Sequence, residues 1–166
     1  MSFDNVTAAA CPLDRGFNVA VLQIAARLFP TGFDAAPDAP EDFDSLREHV
    51  ARTGRMCVSD GASDATIFAD AEVNLAFRAW HDHCHLRIGA DFSPEGEAAA
   101  CAEQARDLRT LYPGHADLPR WLAILHAEVV GQGEHLARHG AFPVDQAAFV
   151  RSYLTQPAAT VAAGPY

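Results

Sequence analysis

The chain has 166 residues, 49% of them hydrophobic, a formal charge of −10, and twelve basic residues that are all arginine. This is enough for one domain with a real core, and no apolar run approaches the roughly 18 residues of a membrane span. The absence of lysine excludes a phosphate-loop lysine, a Schiff-base lysine and a lysine general base, and the acidic balance is wrong for gripping a nucleic-acid backbone.

Met1 to Asn5 carry no basic start followed by an apolar stretch, so no secretory signal is expected and the location reads as cytoplasmic. In chain order, Phe17 to Phe29 predicts an apolar helix ended by Pro30-Thr31-Gly32, and Asp34 to Pro40 a loop. Glu41 to Arg52 reads as an amphipathic helix stopped at Thr53-Gly54. Arg55 to Ser59 and Ala65 to Phe68 are short strand signals that predict a minor hairpin at most. Asp70 can cap a helix running to about Arg87 and ended by Gly89. Ser93-Pro94 opens another to about Leu111, closed by Pro113-Gly114. Asp117 can start one long helix, Pro119 to His139, before Gly140 and Pro143, and Val144 to Leu154 makes a last short one. The expectation is an all-α, single-domain helical bundle over residues 1–155, with a Pro/Ala/Gly-rich flexible tail at 156–166. Cys11, Cys57, Cys84 and Cys101 are scattered without a CxxC pair and read as reduced thiols.

The densest chemistry is His81-Asp82-His83-Cys84-His85. Residues four apart lie one above the other on a helix, so His81 and His85 share a face, beside the stripe of Val73, Phe77, Trp80 and Cys84. Two imidazoles at that spacing are a common helical metal-binding pair. His83 points away and reads as solvent-exposed. On the next helix Glu97 and Gln104 share the inward arc of Cys101, Leu108 and Leu111, while Glu103 and Asp107 read as solvated. A carboxylate on such a face calls for a partner or a cation, and Glu97 divides between that role and a first-turn residue favoured by the helix dipole.

On the third long helix Glu128, Gln132, His135 and His139 form a polar seam beside Leu122, Leu125, Val129 and Leu136. Glu128 is the expected third ligand to His81 and His85, His135 either a fourth ligand or the acid or base, and Asp82 and Gln132 the groups that orient ligands or a bound water. His115 and His126 fall outside the seam. Two histidines and one carboxylate with open positions form the facial triad of non-haem iron enzymes, or a hydrolytic zinc site when water fills the opening. The expected cofactor is therefore one transition-metal ion, Fe(II) or Zn(II), acting on a small-molecule substrate.

Phe77-Arg78-Ala79-Trp80-His81-Asp82, with His85, Gly96-Glu97 and Glu128-Val129-Val130-Gly131-Gln132, resembles a group of phage and mobile-element proteins. They carry a phenylalanine-arginine-alanine-x-histidine-aspartate core, a second histidine, a glycine-glutamate pair and a glutamate near glycine-glutamine. This resemblance spans about a third of the chain and implies no activity. More distantly, His81-Asp82, His85 and Glu128 resemble the iron-binding order of the aromatic amino-acid hydroxylases, whose helix reads histidine-aspartate-x-x-glycine-histidine. Here the glycine is missing and the second histidine comes one residue early, so the resemblance implies metal logic and no substrate.

Two other readings compete. An HD-type phosphohydrolase would need His49, His81-Asp82 and Asp107 to converge, leaving His85 and Glu128 unexplained. A non-catalytic metal-binding or structural protein would use the same histidines as hydrogen-bonded core residues.

Overall fold

The structure, a computed structural model, describes residues 12–61 and 66–155 and is all-α with one small sheet. The expected tail at 156–166 and Cys11 lie outside the described residues. Among them, no helix is long and apolar enough to cross a membrane.

α1 (Arg15–Leu28) begins where the Asp14 carboxylate accepts the Phe17 amide at 2.9 Å, satisfying a donor the first helical turn leaves unpaired. Its apolar face, Phe17, Val21 and Ile24, packs on α3 (Ala71–Ile88). Asp14 also accepts from Arg120 at 2.7 Å and from the Trp121 indole at 3.3 Å, fastening the start of α1 to α5 (Leu118–His126). α2 (Phe43–Thr53) is capped by Asp42 and stopped by Gly54, whose φ of +70° suits a residue without a Cβ.

The strand expectation needs correction. β1 (Asp34–Ala36) lies in the stretch expected to be loop, and it pairs in parallel with β2 (Cys57–Ser59), with α2 as the crossover. No hairpin forms there. The register opposes Asp34 to Cys57, and Arg55 locks it by donating to both Asp34 oxygens at 2.8 and 2.9 Å. Residues 66–70 are bends rather than strand, and Ala65 lies outside the described residues.

α3 is capped by Asp70 and ends at Gly89, and α4 (Pro94–Leu111) follows after a five-residue connection, with Ser93 as cap and Pro94 in the first turn. The expected single helix from 119 to 139 is continuous but not uniform. α5 passes into a π-helical turn (Ala127–Gly131) and then α6 (Gln132–His139). α7 (Gln146–Thr155) closes over this turn, and the Tyr153 ring lies so near Gly131 that a Cβ there would stand 2.9 Å from it. The main core gathers Phe17, Phe68, Phe77, Trp80, Leu108, Ile124 and Leu125. A smaller cluster of Leu46, Met56, Val58 and Ala79 seats α2 and the sheet on α3.

Candidate metal centre

The short connection folds the end of α3 against the start of α4, which sets His81 and His85 opposite Glu97. His81 Nε2 stands 3.0 Å from Glu97 Oε2, His85 Nε2 stands 3.5 Å from Glu97 Oε1, and the two Nε2 atoms are 3.1 Å apart. These three side chains form the one group of described His, Cys, Asp and Glu residues arranged to hold a metal ion. Ligand atoms about 2.1 Å from a common ion stand about 3.0 Å apart in octahedral geometry and about 3.4 Å in tetrahedral geometry. The two imidazole nitrogens, 3.1 Å apart, fall on that scale, and one ligand atom from each of the three residues lies within 4.8 Å of the others.

The other ring nitrogens are committed. His81 Nδ1 meets Gln104 Oε1 at 3.0 Å, and His85 Nδ1 meets the Ala90 carbonyl at 3.1 Å. Both partners are acceptors, so both Nδ1 atoms carry the proton and both Nε2 lone pairs face each other and the carboxylate. Three acceptors converging at this range repel unless a cation sits among them. Without metal, a proton on His81 serves. Burial disfavours the charged imidazole, but the hydrogen bond and charge of Glu97 outweigh it and raise the His81 pKa. Burial likewise pushes Glu97 up, and its contacts with His81 and His85 reverse that, bringing it down to about 2.

His85 is fully buried, with Phe92 packed edge-on at 4.8 Å, and His81 stacks near Phe77 at 6.3 Å. The connection is tight by necessity, since a Cβ on Gly96 would run into the Asp91 carbonyl.

Asp82 adjoins the centre. Burial lifts its pKa to about 6, against the pull of His81, His85 and Arg78, while the charge of Glu97 adds to the rise. Glu128, the expected third ligand, is not in the group: the carboxylate set against the two imidazoles is Glu97. The reason is the connection, which delivers the start of α4 to the histidines, whereas Glu128 sits on the π turn with its pKa pushed up to about 7 by burial. Gln132 is 3% exposed. His135 is not in the group either; its ring packs with His139 at 4.3 Å and Phe149 at 5.3 Å.

The HD set does not assemble. His49 lies on α2 beside Arg52, while Asp107 accepts the Trp80 indole at 2.8 Å and pairs with Arg87 at 2.9 Å. Glu103 and Asp107 are thus not solvated: Glu103 is 4% exposed and pairs with Arg87 at 2.7 Å. Long α3 side chains, Trp80 and Arg87, reach across to them, which a helical wheel of α4 alone does not register. His83 is also not solvent-exposed in full, because Phe29 packs against it at 5.7 Å and burial lowers its pKa. Gln104 shared the inward arc in the sequence but carried no sign of its hydrogen bond to His81, and a backbone acceptor such as Ala90 leaves no side-chain signature.

No protein-family model, curated protein or solved structure matches the chain.

Proposed function

We propose that the chain is a metal-dependent enzyme with a mononuclear centre of His81, His85 and Glu97, taking ferrous iron and acting on a small molecule. One observation carries this reading: two Nε2 lone pairs lie 3.1 Å apart while both Nδ1 atoms are tied to acceptors. Two imidazoles and one carboxylate leave coordination positions open, the pattern of non-haem iron chemistry. In this reading Gln104 and Ala90 fix the ring tautomers, and Asp82 is the neighbouring group able to exchange a proton. A net charge of −10 without lysine suits a substrate that is not heavily phosphorylated.

The test is elemental analysis of protein purified without chelator. The expected result is close to one equivalent of transition metal in the wild type and essentially none in a His81→Ala, His85→Ala double variant that still folds. A folded wild type with no affinity for iron, zinc or cobalt would overturn the reading in favour of structural histidines. Assays of the iron- and zinc-loaded protein, with and without oxygen, then separate an oxygenase from the competing zinc hydrolase, which needs no oxygen.

A further inference from the structure

His135 and His139 stand four apart on α6, and Gly140 ends the helix directly after them. Residues at that spacing lie one above the other, and the two ring centroids are 4.3 Å apart. The buried rings of His81 and His85 stand at 4.7 Å by the same measure, with their Nε2 atoms 3.1 Å apart. The α6 rings are therefore near enough for one nitrogen of each to meet a common ion.

The two pairs differ in their surroundings. His85 is fully buried, and both Nδ1 atoms of the α3 pair are tied to acceptors. On α6, His139 is exposed and His135 is half-buried, with Phe149 of α7 edge-on to it at 5.3 Å. One ring is thus positioned by a neighbouring helix, and the other has room to turn toward it. Neither makes a hydrogen bond with a described residue, so their nitrogens are uncommitted. The helix end adds to this, because the unpaired carbonyls of a last turn favour cations. Arg138, between the two histidines in sequence, pairs with Glu134 at 2.8 Å, which balances its charge. No third His, Cys, Asp or Glu among the described residues joins them, so they stop short of the three-residue group that His81, His85 and Glu97 make.

We propose that His135 and His139 form a second, solvent-facing metal site, chelating a divalent first-row ion through one nitrogen of each ring, copper(II) or nickel(II) ahead of zinc(II). Imidazole donors set that order of ions, and water fills the remaining positions. An ion held by two donors at the surface exchanges readily and is lost on desalting, so this site adds nothing to the metal that stays with the purified protein. It stands or falls independently of the buried centre.

The experiment passes the full chain, without an affinity tag, over immobilised nickel(II) at neutral pH and elutes with imidazole. The wild type should be retained. Loss of either ring, in His135→Ala or His139→Ala, should weaken nickel binding by about 100-fold, the gain two linked donors provide, and release the protein early. A variant carrying Ala137→His with His139→Ala keeps all eight histidines but sets the pair two apart, on different faces of the helix; it should also elute early. The His81→Ala, His85→Ala variant should be retained like the wild type. A wild type that is not held overturns the proposal, as does retention of His139→Ala or of the displaced-histidine variant at the wild-type level. Early elution of the His81→Ala, His85→Ala variant also overturns it, and assigns the retention to the α3 histidines.

Discussion

Two polar clusters join α3 to α4, and they are built on opposite principles. At Trp80, Arg87, Glu103 and Asp107, donors meet acceptors: an indole and a guanidinium face two carboxylates at 2.7–2.9 Å, and Arg106 pairs with Glu103 at 2.6 Å. At His81, His85 and Glu97, acceptors meet acceptors, with each ring's own proton already assigned elsewhere. The first cluster pairs opposite charges within the chain and holds the helices in register. The second needs an added proton or a metal ion among its acceptors, and that difference separates a fastening from a candidate site better than composition or burial does, since both contain buried carboxylates and bases.

The comparison breaks first at the histidines. Replacing His81 and His85 together by alanine should abolish metal binding, read by elemental analysis, and should lower the stability of the metal-free fold below about pH 6.5, because Glu97 loses its imidazolium partner and a fully buried ring is removed.

Gln104→Leu comes next. It frees His81 to change tautomer and should weaken metal by about 10–100-fold, measured by competition with a chelator, whereas Gln104→Glu keeps an acceptor and should retain binding.

Asp107→Ala should do the reverse. Denaturant unfolding should show a loss of about 2 kcal/mol, as Arg87 and the Trp80 indole lose their shared acceptor, while the bound metal remains near one equivalent.

Acidity sharpens the contrast further. In the metal-free protein the His81 pKa is raised, so its contribution to stability is full below its unfolded value of 6.5 and is lost as pH rises through the folded value. The Glu97 pKa is depressed to about 2, so its contribution is present above 4.5 and is lost as pH falls toward about 2. Metal-free stability from this pair should therefore peak between those limits. Metal binding, which displaces the His81 proton, should strengthen as pH rises past the His81 pKa. The smallest effect is at Glu128. Its pKa is raised to about 7, so the wild type loses stability as pH climbs from 4.5 through 7. Glu128→Gln should not, giving a gain on the order of 1 kcal/mol at pH 8 in paired melts.

Helix positions were legible because their ends are written in side chains: Asp42, Asp70 and Ser93 cap, and Gly54 and Gly89 stop. The His81–His85 pair was legible because helical spacing alone fixes it. Which carboxylate faces that pair was not. Glu97 lies on an inward arc and Glu128 on a polar seam beside the core, and it is the five-residue connection, which a wheel does not show, that brings the start of α4 to the histidines. Glu103 and Asp107 misled for a related reason, since their partners come from another helix. The parallel strands eluded a local reading because β1 is three residues in a proline-rich stretch and gains its partner only after α2 returns the chain.

The Ala90 residue takes part in two bonds to His85: its amide donates to the His85 carbonyl at 3.1 Å, and its own carbonyl accepts from the ring at 3.1 Å. The chain reversal is thus a component of the centre, gauged by the contact of Gly96 with Asp91. Surface connections ordinarily absorb added residues at little cost in stability. An insertion between Gly89 and Ser93 would leave both helices intact and carry Ala90 off the imidazole, so the protein would stay folded while His85 regained the freedom to turn its protonated nitrogen toward the metal position. In this molecule the length of one exposed turn sets which atom of a buried ring faces Glu97.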